Sequence, residues 1–131
     1  MVKFVSASQI NDARGNLTVV EFPQLLPFEC QRTYFLKSLD PDLRRGFHAH
    51  HELRQVFFCV QGSCMVLLDD GINKVDVKIE GEKGLIIDKM VWHEMYHFSK
   101  DCVIAVFASD VYKESDYIRE YDQFLKHVGK K

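Results

Sequence analysis

A chain of 131 residues with 47% hydrophobic and 27% charged residues has the composition of one ordinary globular domain, 1–131, long enough to bury a real core. A net charge of −2 excludes the basic footprint of a nucleic-acid-binding domain. No apolar run approaches the roughly 18 residues of a membrane span, and Met1-Val2-Lys3-Phe4-Val5-Ser6 turns polar too soon for a signal peptide. Cys30, Cys59, Cys64 and Cys102, with no CxxC pair, read as reduced and mostly buried thiols of a cytoplasmic protein.

Strand signals dominate the chain order. Asn11 to Asn16 is a turn cluster, and Leu17 to Phe22 follows as a β-branched run. Pro23 and Pro27 bracket a loop before Arg32-Thr33-Tyr34-Phe35-Leu36, whose alternation puts Arg32, Tyr34 and Leu36 on one face. Asp40-Pro41-Asp42 turns the chain into Arg44-Arg45-Gly46-Phe47-His48-Ala49-His50, and Gln55 to Val60 is an apolar strand. Gln61-Gly62-Ser63 leads into Cys64 to Leu68, and Asp69-Asp70-Gly71 is a hairpin signal before the alternating Lys74 to Ile79. Leu85 to Ile87, Val91 to Phe98 and Val103 to Ala108 complete the strands. The period then changes: Ser115 reads as an N-cap with Asp116 in the first turn, and Tyr117, Ile118, Tyr121, Phe124, Leu125 and Val128 form a helical stripe. About nine or ten short strands closed by one helix predict an all-β antiparallel jelly-roll barrel with a C-terminal α-helix.

His48 and His50 share one face of their strand. Two imidazoles facing one cavity suit either a metal or proton transfer near neutral pH. A consistent inward set is His48, His50, Gln55, Phe57, Cys59, His93, Met95 and His97, joined by Tyr34 and Arg32. So polar an interior argues for a ligand pocket. His51 and His97 are otherwise read as exposed or packing residues, and Trp92 as core.

The constellation resembles the cupin barrel. His48-Ala49-His50, Gln55 and Gly62 match its first motif, while Asp88 to His93 only echoes the second. Where metal cupins carry a carboxylate ligand, this chain has Gln55, a poorer donor to a divalent ion. The whole chain resembles more closely the WxcM-like sugar-nucleotide ketoisomerases: Arg14-Gly15-Asn16-Leu17, Pro27-Phe28, Arg32-Thr33-Tyr34-Phe35, Arg45 to His50, Leu68 to Gly71, Val91 to Met95 and Asp116 to Arg119 with Tyr121-Asp122 recur in order.

The resemblance implies a metal-free, cofactor-free cytoplasmic enzyme, usually a domain-swapped homodimer, that moves a carbonyl from C4 to C3 of a dTDP-linked 6-deoxyhexose for bacterial surface polysaccharide. It implies His48 as proton shuttle, His50 as its support and Tyr34 as helper at the sugar oxygens. Arg45 and Arg32 suit the diphosphate, since guanidinium forks match phosphate oxygens. Arg14, His93 and Gln55 are further substrate-binding candidates. Arginine at position 14 and histidine at position 93 resemble the branch that forms the galacto product. A cupin sugar-nucleotide epimerase and a non-catalytic sugar-sensing cupin are the alternatives.

Overall fold

The computed structural model describes residues 1–129. In chain order the strands are β1 (Phe4–Ser6), β2 (Ser8–Asp12), β3 (Gly15–Val19), β4 (Arg32–Leu36), β5 (Arg45–His50), β6 (Gln55–Gln61), β7 (Ser63–Asp69), β8 (Lys74–Glu80), β9 (Lys83–Ile87), β10 (Trp92–Tyr96), β11 (Val103–Ala108) and β12 (Tyr117–Ile118), followed by helix α1 (Tyr121–Val128). One five-stranded sheet has the order β1-β9-β6-β11-β4 and the other β12-β5-β10-β7-β8, with antiparallel pairing throughout. This is the expected jelly-roll barrel with its C-terminal helix.

The core follows from which strands are buried on one face and which on two. β8 alternates exposed and inward residues, as its sequence does. In β6 every residue from Gln55 to Cys59 is buried. Phe57 and Cys59 join the main core with Val66, Leu85 and Ile104, while Val56 and Phe58 face the opposite way, under Ala7, Leu26 and Phe28. Burying each such side chain contributes about 1.5–3 kcal/mol. A third cluster, Ala49, Trp92, Ile118 and Phe124, docks α1 on the second sheet. Trp92 is therefore core, with its Nε1–H donating to Glu94 Oε2 at 2.8 Å.

Three expectations change. Residues before Leu17 are not only a turn: β2 and β3 pair as a separate two-stranded ribbon, and β1 adds to the first sheet. The helix begins at Tyr121, so Ser115 caps nothing. Glu114–Asp116 is one 3-10 turn, and Tyr117 and Ile118 pair with His50 and Ala49 as an added edge strand. The helical stripe misled at its first two members because Ile118 is buried by strand pairing, not by a helix face. Finally, β10 ends at Tyr96; His97 has φ 57° and is exposed, so it leaves the inward set.

A candidate active site between the two sheets

A cavity of about 560 Å³ lies between β4 of one sheet and β5, β10 and β12 of the other. β4 supplies Arg32, Tyr34 and Leu36, the single face that alternation predicts. Arg45, Phe47 and His48 come from β5, Met95 from β10, and Tyr117 and Arg119 from the β12 segment. Volume and lining suit a small, partly polar ligand.

Three imidazoles meet beside it. His93 on β10 lies across from His48 on β5, and His50 lies across from Tyr117. The His48 ring is 4.6 Å from that of His93 and 5.0 Å from that of His50, and the Tyr117 ring is 4.4 Å from His50. Gly46 permits this closeness. It has φ +98°, and a Cβ there would stand 2.8 Å from the His93 carbonyl oxygen, so β5 and β10 could not approach around a bulkier residue.

Each imidazole is anchored through Nδ1. His48 Nδ1 is 3.0 Å from the Gly46 carbonyl, His93 Nδ1 is 3.2 Å from the Val91 carbonyl, and His50 Nδ1 is 3.1 Å from Asp116 Oδ2. A carbonyl or carboxylate only accepts, so Nδ1 carries the proton in all three and Nε2 keeps its lone pair. Asp116 is itself held by the backbone N–H groups of Glu52 at 2.8 Å and Leu53 at 3.2 Å. Of the three histidines only His48 lines the cavity; His50 and His93 are 3% and 1% exposed and stand behind it.

Burial pushes all three imidazoles below the ordinary histidine value, His50 to about 4, with neighbouring His48 adding to the effect on the other two and Asp116 opposing it at His50. The site at pH 7 therefore offers neutral rings with free Nε2 atoms. Burial, with Tyr117 nearby, pushes the Tyr34 phenol up to about 12, so it stays protonated. Gln55 Nε2 donates to Tyr34 Oη at 2.7 Å, leaving the phenol hydrogen free to point into the cavity. Among the described residues, three buried side-chain polar atoms lack a hydrogen-bond partner: Arg32 Nε, His50 Nε2 and Gln55 Oε1. All three belong to this neighbourhood, where a ligand or a proton relay uses such atoms.

His48, His50 and His93 bring their ring nitrogens within 4.8 Å of one another, so these three could also hold a metal ion. The position at which a cupin metal site has its carboxylate is Gln55, whose amide is committed to Tyr34.

The expected residues thus divide. His48, Tyr34, Arg32 and Arg45 line one cavity, and His50, His93 and Gln55 form the layer behind them. Arg14 is elsewhere: its side chain is 91% exposed at the tip of the β2–β3 ribbon, and it bonds Asp12 at 2.7 Å. Sequence reasoning missed Asp116, Tyr117 and Arg119. Arg119 lies 4.1 Å over the Tyr117 ring and forks onto Glu114. The run Asp116 to Arg119 stood out as a motif, but reading it as helix hid its approach to His50.

The chain matches the family described as WxcM-like, C-terminal (FdtA), over residues 1–129. It is 43% identical over 129 residues, 98% of this chain and 93% of the other, to the TDP-4-oxo-6-deoxy-alpha-D-glucose-3,4-oxoisomerase of Aneurinibacillus thermoaerophilus. A 3,4-ketoisomerase mutant from Thermoanaerobacterium thermosaccharolyticum, solved in complex with TDP-4-keto-6-deoxyglucose, superposes with a TM-score of 0.94 at 34% identity, covering 99% of this chain and 95% of that one. Two enzymes of Campylobacter jejuni differ in the sugar they are named for. The TDP-fucose-3,4-ketoisomerase is 35% identical with TM-score 0.87, covering 96% of this chain and 94% of its own. The TDP-quinovose 3,4-ketoisomerase is 40% identical with TM-score 0.87, covering 95% and 97%.

Proposed function

Since the chain belongs to the WxcM-like sugar 3,4-ketoisomerases, we propose that it converts TDP-4-keto-6-deoxyglucose into the 3-keto isomer of galacto configuration, with His48 carrying the proton on one face of the sugar. The observation that carries this reading is that His48 alone of the three imidazoles lines the cavity, with a neutral ring and Nε2 free.

The reaction needs no oxidant. A base takes the C3 proton while O4 gains one, giving an enediol; O3 then loses its proton while C4 receives one. His48 Nε2 suits the carbon-to-carbon transfer, as its pKa, held below the ordinary value by burial, keeps it unprotonated and ready to accept a proton at pH 7. Tyr34, protonated and steadied by Gln55, gives a proton to O4 and recovers one from O3. His50 and Asp116 set the ring beside His48 and take up part of the charge that develops there. Arg32 and Arg45 face the diphosphate, and Tyr117 with its stacked Arg119 forms the opposing wall. Metal is not required, because the Tyr34 phenol supplies the proton donor that the enediol oxygens need.

Stereochemistry follows from the single base. In a gluco-configured sugar the C3 hydrogen lies on the face opposite the C5 methyl. Returning a proton to C4 from that same face puts the C4 hydroxyl on the other side, the galacto arrangement. A gluco product needs a second donor on the opposite face. His93 is fully enclosed behind His48 and acts by positioning it; Arg14 reaches a sugar only from a second copy. The β2–β3 ribbon, with Ile10 and Leu17 opposite each other at 57% and 58% exposure, suits exchange between two copies of the chain, so the working unit is proposed to be a homodimer. The test is the isomerisation of substrate deuterated at C3, with the product trapped by reduction. Label appearing at C4 is expected, and a parallel run with unlabelled substrate is expected to give a small H4–H5 coupling; a large axial–axial coupling rejects the galacto assignment.

A further inference from the structure

Away from the cavity the barrel holds a second cluster of ligating side chains. Cys59 ends the buried part of β6, Cys64 is the second residue of β7, and Cys102 precedes β11; they are 0%, 1% and 1% exposed. Their sulfurs all lie within 4.8 Å of one another, and those of Cys59 and Cys102 are 3.2 Å apart. On β7, Cys64 is four residues from Leu68, the register partner of His93, so the cluster is about 13 Å along the strand from the imidazoles. Phe57, Met95, Phe98 and Ile104 belong to the same core cluster.

We propose that these three thiols form a closed site for a thiophilic trivalent metalloid bound as a neutral trithiolate. Geometry supports three-fold ligation. A trivalent metalloid keeps a lone pair and binds as a pyramid, so a centre about 2.3 Å from each sulfur sets the sulfurs about 3.5 Å apart, a separation bracketed by the 3.2 Å pair and the 4.8 Å limit. The setting selects the charge. The groups that bear most on the Cys59 and Cys102 thiols are other cysteines and the Gln61 carbonyl, with no cation among them, and burial helps push both thiols up, Cys102 to about 12. Three thiolates around a monovalent ion leave two uncompensated negative charges in an apolar core, and around a divalent ion one. Around a trivalent centre they leave none. With arsenous acid, three S–H and three As–O bonds break, three As–S bonds form, and three waters leave, with no change of oxidation state.

Entry does not require opening the barrel. The cluster lies under two short turns: Gly62, φ +75°, brings the β6–β7 turn so close to the Ser99–Cys102 turn that a Cβ at position 62 would collide with Ser99 Oγ. Lys100 and Asp101 on that turn are exposed, and such short surface turns open locally far below the cost of global unfolding.

The experiment is incubation of the reduced full chain with arsenous acid well below its unfolding midpoint, followed by native mass spectrometry and arsenic X-ray absorption. The expected result is one arsenic per chain, a mass gain of one arsenic less three hydrogens, three As–S contacts without As–O, and a raised midpoint. Losing even an outer-shell partner costs a metal site about 10- to 100-fold, so Cys64→Ser is expected to weaken retention at least about 100-fold. Cys30→Ser, whose sulfur is outside the cluster, is expected to bind like the parent. Failure of the folded parent to take up arsenic, oxygen in its coordination shell, or unchanged retention by Cys64→Ser overturns the proposal. The coordination measured on the parent decides even if a serine variant does not fold.

Discussion

The imidazole cluster and the thiol cluster are both triads of potential ligands on neighbouring strands of one barrel, yet their surroundings are opposite. Every imidazole is tied at Nδ1 to a carbonyl or carboxylate, and one of the three opens onto a cavity with two phenols and three guanidinium groups. The thiols are closed in by apolar side chains and mainly meet one another. Anchoring at a second atom distinguishes a cluster whose tautomer and orientation are set for proton transfer from one whose atoms are held mainly by packing. Without Asp116, His50 would resemble the thiols: a buried polar group with nothing to fix its proton.

The sharpest way to break this contrast is to remove the group that opens onto the cavity. His48→Asn is expected to lower kcat by about 10³-fold or more, with TDP affinity changed only a few-fold. Turnover followed with a coupled 3-aminotransferase, beside calorimetric titration with TDP, checks it, and near-parental turnover sinks the assignment. Removing the anchors comes next. His50→Asn and Asp116→Asn are each expected to lower kcat by roughly 10- to 100-fold with little change in KM, as the ring behind His48 loses its charge and its hold.

Acid separates the clusters more gently. His50 titrates at an ordinary 6.5 when unfolded and about 4 when folded, so between those values the unfolded chain binds the extra proton. Stability is therefore fully present above about pH 6.5 and is lost as pH falls toward 4. The unfolding midpoint is expected to drop by about 5 °C or more from pH 7 to pH 5, and scanning calorimetry should show a shallower fall in His50→Asn. The depressed value of His48 likewise places the acid limb of kcat/KM below pH 6.5. The smallest effect expected is none: exhaustive chelation leaves turnover unchanged, and loss of activity restored by one divalent ion would assign the imidazole cluster to metal.

Much of this molecule was legible in one dimension because period-two alternation is a local property. Arg32, Tyr34 and Leu36 share a face, His48 and His50 share another, and the apolar run of β6 announces a doubly buried strand. The resemblance to the sugar ketoisomerases rested on motifs in order, and the chain does belong to that family. Register and strand addition were not legible, because neither depends on neighbours in sequence. Only the fold sets His93 across from His48, leaves His50 and His93 behind while His48 meets the cavity, and turns His97 outward. Only the fold lays Tyr117 and Ile118 beside β5 as a strand, where a local reading of apolar spacing sees the start of a helix. That pairing carries Asp116 to His50, 66 residues away in sequence. The chain by itself determined which side chains were available for chemistry; long-range pairing decided which of them touch, because cross-strand contacts are chosen by burial of the whole sheet rather than by the residues that meet.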